Sequence, residues 1–271
     1  MAQQHRRAPA RDINPVDPIW HAVRDDANKA VKAEPAIATF LFGAVLNQSS
    51  LEEAVAHRIA ARLDHPDVPA DLIRQAFGDM IAADGGFRAA VRIDLQAVFD
   101  RDPACNRFLE PLLYFKGFHA IQTHRLAHWL HRQGRTDFAL YLQSRSSSVF
   151  QTDINPAARI GKGIFLDHAT GLVVGETAVI GDDVSILHSV TLGGTGKEGA
   201  DRHPKIGHGV MIGAGAKILG NIRIGHSSKI AAGSVVLSEV PACRTVAGVP
   251  ARVVGECSCA EPSRAMDQTL D

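Results

Sequence analysis

Aromatic side chains are nearly missing from the second half of this 271-residue chain. Of 15 Phe, Trp and Tyr, 14 lie in residues 1–150 and only Phe165 lies beyond. A conventional aromatic core is therefore excluded there. Cysteine is scarce as well: Cys105, Cys243, Cys257 and Cys259 form no CxxC pair and no disulfide framework. The C-x-C in the polar tail is too close for an easy disulfide, and a reducing cytoplasm is the expected setting. No apolar run reaches the ~18 residues that span a bilayer. Met1 to Pro15 is basic and polar without an apolar stretch, so no secretory signal is expected. Net charge is absent too: 29 Lys and Arg balance 29 Asp and Glu, which argues against a nucleic-acid footprint and an acidic disordered chain.

What is present is just as uneven. Six of 24 glycines lie in residues 1–150 and 18 lie in 151–271. The halves cannot share one architecture. From about Pro18 to Leu142 apolar residues recur at helical spacing, as in Leu51, Val55, Ile59 and Leu63, then Leu72, Ile73, Phe77 and Ile81. Ser50 with Glu53 is a capping-box signal. His119, His124, His128 and His131 sit around one such helix and read as packing and surface residues rather than ligands.

The second half repeats every six residues. Branched or small apolar side chains fall at Ile154, Ile160, Leu166, Leu172, Ala178, Val184 and Val190, and again at Ile206, Ile212, Ile218, Ile224, Ile230 and Val236. Small residues often follow, as at Gly161, Gly181, Gly207, Gly213, Gly225 and Ala231. A period of six fits neither an amphipathic helix nor an alternating strand and is the signature of a parallel β-helix with three six-residue units per coil. The corner glycines are expected to answer backbone crowding and left-handed φ angles. The expected class is α+β: an all-α N-terminal domain, then a parallel β-helix with one protruding loop. The divisions expected are a disordered 1–16, a helical domain over 17–145, the β-helix over 146–255 and a flexible tail over 256–271. The repeat slips once, because Val190 to Ile206 holds one step plus ten residues; the charged, glycine-rich stretch Gly196 to Lys205 should leave the coil as a loop.

Candidate chemistry follows from position. Asp153 and His168, 15 apart, should lie on adjacent rungs near one edge. A carboxylate beside an imidazole makes it a better general base. Arg202 and His203 sit in the inserted loop, and an Arg fork suits a substrate carboxylate. Solvated turn and loop residues are the plainer explanation of each pattern alone. Gly194 and its glycine neighbours offer unobstructed backbone N–H groups. His203 and His208 have H-x4-H spacing, but no carboxylate or third histidine matches them as a zinc site.

Longer motifs add a resemblance. DINPAARIG, FLDHATGLVVGETAVIG, VSILHSVTLGGTG, DRHPKIGHGVMIGAGAKILGNI and AGVPAR, with DRDPACNRFLEPLLYFKGF and HRLAHWL upstream, closely resemble the serine O-acetyltransferases of the hexapeptide-repeat superfamily over roughly residues 20–255. The resemblance implies acetyl transfer from acetyl-CoA to the L-serine hydroxyl in cysteine biosynthesis, with acetyl-CoA as co-substrate and no metal. It implies His168 as base, Asp153 as its partner and His203 as second active-site histidine. Arg202 would face the serine carboxylate, Asp102 and Asp167 its ammonium, and Gly194, Ala214, Ala232 and Lys229 would line the CoA groove. It further implies that the β-helix is left-handed, that the helical part is an oligomerisation domain pairing trimers into hexamers, and that L-cysteine inhibits by feedback; neither nucleic acid nor membrane is expected as partner. Many family members end in an isoleucine that enters O-acetylserine sulfhydrylase, whereas this sequence ends in Asp271, so that complex is not expected. Two other readings are an acetyltransferase for another acceptor such as homoserine, which an acceptor panel separates, and a non-catalytic scaffold, which the joint presence of His168, Asp153 and His203 opposes.

Overall fold

The structure is a computed structural model and describes residues 17–196, 199–257 and 261–269. The expected disorder of residues 1–16, and Cys259, Leu270 and Asp271, lie outside the described residues. The N-terminal half is helical: α1 (Pro18–Ala33), α2 (Ala38–Leu41), α3 (Leu51–Leu63), α4 (Ala70–Ala83), α5 (Gly85–Arg101), α6 (Leu109–Leu113), α7 (Lys116–Arg132) and α8 (Thr136–Phe150). Helix α3 starts where its cap predicts. Ser50 Oγ accepts from the Glu53 N–H, while Glu53 Oε2 accepts from the Ser49 N–H and hydroxyl rather than from Ser50. Its stripe Leu51, Val55, Ile59 and Leu63 is fully buried, as are Phe77 of α4 and Phe150 of α8. Helix α8 continues to Phe150 and β1 begins at Thr152. No helix among the described residues is long and apolar enough to cross a membrane.

The second half is a three-sided parallel β-helix. The first face stacks β1 (Thr152–Ile154), β4 (Leu172–Val174), β7 (Thr191–Gly193), β10 (Lys217–Leu219) and β13 (Val235–Val236). The second face carries β2 (Arg159–Ile160), β5 (Val179–Ile180), β8 (Lys205–Ile206) and β11 (Arg223–Ile224). The third carries β3 (Phe165–Leu166), β6 (Ser185–Ile186), β9 (Met211–Ile212), β12 (Lys229–Ile230) and β14 (Arg244–Gly248), closed by the antiparallel β15 (Ala251–Glu256). Ladder hydrogen bonds between coils satisfy the backbone, and the branched column fills the narrow interior.

Register corrects the reading of the repeat. Val173 pairs with Thr191, 18 residues on, but Thr152 pairs with Leu172, 20 residues on. Two extra residues therefore sit between β3 and β4, in the turn that carries His168. The strand-centre column after that turn is Val174, Ile180, Ile186 and Leu192; Leu172, Ala178, Val184 and Val190 are buried beside it. Thr191 pairs with Lys217, 26 on, so the protruding loop adds eight residues rather than ten. The slip of ten is thus shared between two turns.

The corner glycines need correcting as well. Gly161, Gly181, Gly207, Gly213 and Gly225 do not have left-handed φ; crowding alone selects them, since a Cβ on Gly207 would lie 2.7 Å from the His226 nitrogen of the next coil. Left-handed φ falls two residues later, at Gly163, Gly209, Gly215 and Gly233. A short helix α9 (Pro262–Ala265) packs against α5 and β9, the Ser185 hydroxyl donates to the Ser263 carbonyl at 2.6 Å, and Ser263 is fully buried.

Candidate active site

The turn from Asp167 to Gly171 joins β3 to β4. His168 and Ala169 both take left-handed φ, 54° and 61°. Such backbone costs about 1–3 kcal/mol per residue and persists only where its surroundings hold it. Here the Ala169 N–H donates to the Asp167 carbonyl, Thr170 N–H to His168, and Gly171 N–H to Gln151 of the preceding coil. The turn throws the imidazole outward, 75% exposed, with Nε2 3.7 Å from Asp167 Oδ1. The His188 ring stands 6.0 Å away at the next coil's corner.

His168 and Asp167 border a cavity of about 390 Å³ that also takes in Asp102, Tyr114, Lys116 and Phe165. Asp102 arrives as the C-cap of α5, its carboxylate accepting from the Ala104 N–H at 2.9 Å. Gly117 lets α7 close the cavity, because a Cβ there would overlap the Leu166 carbonyl oxygen of β3. Burial pushes the Asp167 carboxyl above the ordinary range; the His168 imidazole draws it back and the Asp102 charge raises it further. Two carboxylates and an imidazole on one small cavity can grip an ammonium group and take a proton beside it.

Arg202 and His203 sit elsewhere. His203 is buried, and its Nδ1 accepts from the Thr177 hydroxyl at 2.9 Å and the Thr177 N–H at 3.2 Å. That places the proton of the neutral ring on Nε2. Burial, then the Arg202 charge, holds His203 below its ordinary pKa. Gly175 is required beneath it, since a Cβ there would lie 2.0 Å from ring atoms. Arg202 pairs with Glu176 at 2.7 Å, and its backbone flanks Gly194. This cluster lies where the first face turns into the second, whereas His168 lies where the third turns into the first. The two histidines of one protomer are on different edges of the prism.

The remaining candidates divide too. Asp153 lies on the first face beside Val173, and its Oδ1 accepts from Gln143 Nε2 of α8 at 2.6 Å; no hydrogen bond or ion pair joins it to His168. Ala214 and Ala232 follow His188 down the edge below His168, as the Gly215 N–H to His188 and Gly233 N–H to Ala214 bonds show. Lys229 lies on the third face, where the Thr269 carbonyl accepts from its ammonium at 2.5 Å. Among the described residues, no group of three or more His, Cys, Asp and Glu is placed to hold a metal.

Comparison with known proteins decides the relationship. Residues 19–123 match the model of the serine acetyltransferase N-terminal domain, and residues 203–238 match the bacterial transferase hexapeptide model. The serine acetyltransferase of Escherichia coli K12 is 54% identical over 250 residues, 92% of each chain. The chain belongs to the serine acetyltransferase family. It is an acyltransferase. Among solved structures, the Brucella abortus S19 serine acetyltransferase in complex with coenzyme A superposes at TM-score 0.89 with 68% identity, covering 90% of this chain and 98% of that one. The soybean enzyme complexed with serine gives 0.85 and 52%, covering 87% and 97%. A serine acetyltransferase in complex with cysteine gives 0.91 and 49%, covering 93% and 98%.

Within this family fold, two site residues escaped the sequence reading. Thr177 is one: its hydroxyl also accepts from the Arg202 and His203 N–H groups, each at 3.1 Å, so one side chain orients both. Lys116 is the other, reaching the His168 turn from α7. Only the run GET before AVIG hinted at Thr177, and Lys116 stands out only once α7 is known to begin there.

Proposed function

We propose that the protein transfers the acetyl group of acetyl-CoA to the hydroxyl of L-serine, giving O-acetyl-L-serine and CoA as a step of cysteine biosynthesis, with His168 as general base. The observation that carries this reading is the convergence of Asp102, Asp167 and His168 on one cavity. The carboxylates hold the serine ammonium, and the His168 imidazole takes the hydroxyl proton as the oxygen attacks the thioester carbon. The carbon–sulfur bond then breaks, and CoA leaves as a thiol with the proton returned by the imidazolium. Nε2–H of His203 and loop amides near Gly194 steady the oxyanion. Arg202 binds the serine carboxylate. The relatives crystallised with coenzyme A, serine and cysteine support these ligands. L-Cysteine, which shares the ammonium and carboxylate, competes for the same groups.

Because the His168 and His203 edges face apart in one protomer, the complete site forms between neighbouring copies packed through their first faces. We read the assembly as a trimer, paired through the helical domains into a hexamer. Gly194 on one edge and Ala214 and Ala232 on the other line the CoA groove; Lys229 joins it only when the Thr269 carbonyl releases its ammonium. Asp153, bonded to Gln143 within one protomer, is assigned as partner of the base only in the assembled site. The free thiols of Cys105, Cys243 and Cys257 suit a reducing cytoplasm.

Thiol release from acetyl-CoA plus L-serine tests the reading, repeated with L-homoserine and with L-cysteine added. General-base catalysis contributes ~10²–10⁴-fold, so His168→Ala should lose that factor in kcat. Near-wild-type turnover by H168A, or preference for another acceptor, overturns it. A fully active monomer by light scattering overturns the shared site.

A further inference from the structure

Lys116 opens α7 in a place its charge does not favour. The first turn of a helix carries the positive end of the dipole and disfavours a cation, and this first turn holds no acid to offset it. Such local conflicts mark positions retained for something other than folding. Its ammonium donates to Thr170 Oγ1 at 2.5 Å and to Gln151 Oε1 at 3.0 Å. The Thr170 hydroxyl in turn donates to the His168 carbonyl at 3.3 Å, and the Gln151 carbonyl accepts from the Gly171 N–H at 2.8 Å. The lysine thus bears on the turn that throws His168 outward, directly at Thr170 and through Gln151 at Gly171. Gly117, the next residue, lies against the Leu166 carbonyl and fixes how close α7 comes.

We infer that Lys116 is a positioning residue for the transfer reaction: its ammonium, through Thr170 and Gln151, holds the strained left-handed turn so that the His168 imidazole stays aimed at the substrate hydroxyl. The inference rests on His168 being the base. The ammonium itself is turned onto the turn, bonded to Thr170 and Gln151. Nothing else among the described residues ties the helical domain to the Thr170 hydroxyl, so the helical domain enters catalysis through the base as well as through Asp102.

Steady-state kinetics of K116M, K116R and T170V test this. A lost charge-assisted hydrogen bond at a strained turn should lower kcat of K116M by roughly ten-fold or more. The KM values for L-serine and acetyl-CoA and the melting temperature should be unchanged within error, and K116R should recover most of the rate. T170V, which keeps the lysine, should show the same kcat-only loss, and it carries the test if K116M fails to fold. In an H168A background K116M should leave the residual rate unchanged. Wild-type kcat in both K116M and T170V, a loss confined to KM, or an undiminished K116M effect on top of H168A overturns the inference. An active H168A single variant sinks the assignment of the base instead, so the two failures are told apart.

Discussion

Replacing Asp94 with alanine should loosen the joint between the two halves of the molecule. Asp94 lies in the middle of α5 and is fully buried. Its Oδ2 accepts from Gln122 Nε2 at 2.8 Å and from Arg125 Nε and Nη2 at 2.9 and 2.7 Å. Its Oδ1 accepts from the Gly163 and Ile164 N–H groups at 2.8 and 3.1 Å, in the corner between β2 and β3. One carboxylate therefore stitches α5 and α7 to the first coil. Arg125, whose side chain is 12% exposed, keeps only the Gly161 carbonyl at 2.7 Å once Asp94 is gone. Removing one partner of a buried ion pair costs about 3–5 kcal/mol, because the remaining charge stays desolvated and unpaired. At about 2 °C per kcal/mol for a chain of this size, D94A should melt roughly 6–10 °C lower. Differential scanning calorimetry at neutral pH measures this. The double variant D94L/R125M, which removes both charges and keeps apolar volume, should recover much of the loss. A D94A melting temperature within ~2 °C of wild type refutes the reasoning, since a loss that small means water satisfies Arg125 in place.

Other perturbations probe the site and the pH dependence. Burial and then the neighbouring charges set Asp167 high, with Asp102 among the groups that raise it, so D102N should shift the acid limb of kcat/KM for serine to lower pH. A limb that stays in place or moves upward refutes the coupling. R202Q should raise the serine KM by roughly 10–100-fold through a lost charged hydrogen bond, with little change in melting temperature, as expected for a loop side chain; an unchanged KM removes Arg202 from the carboxylate site. Burial pushes both His119 and His124 down to about 3, so both stay neutral in the native state. Below about pH 6.5 the unfolded chain takes up protons that the native state refuses, and stability is lost progressively as pH falls towards 3. At pH 5 each ring should cost about 2 kcal/mol, visible as a lower urea midpoint than at pH 7. Equal midpoints at the two pH values contradict it.

The helical stripe of α3, its Ser50 cap and the six-residue column are local patterns, and the structure keeps all three. The phase of the column is different. Apolar residues at both positions of each unit are buried, so counting in sixes from Leu166 to Leu172 hides a two-residue insertion. The sum of insertions, ten, is visible in sequence because the register must return by Ile206. Its division into two at His168 and eight at Arg202 and His203 depends on which residues pair between coils. The polar tail gives no sign in sequence of the surface it meets: Ser263 is buried because Ser185 and α5 receive it.

The residues that carry charge and chemistry at the site were nearly all identifiable one by one, since acids, an arginine and two histidines interrupt an otherwise apolar repeat. Their grouping was not. Asp102 reaches Asp167 only because α5 ends over β3, and Asp153 turns to Gln143 because α8 packs against β1. Lys116 and Thr170 are 54 residues apart, and Thr177 and His203 are 26 apart, beyond the reach of any local pattern. The sequence by itself determined the two unlike halves, because a narrow coil has no room for aromatics and needs glycine where coils crowd. Only the tertiary structure decided which edge each side chain occupies. A β-helix turns one dimension of sequence into three faces, so two residues extra in a turn redirect every group that follows.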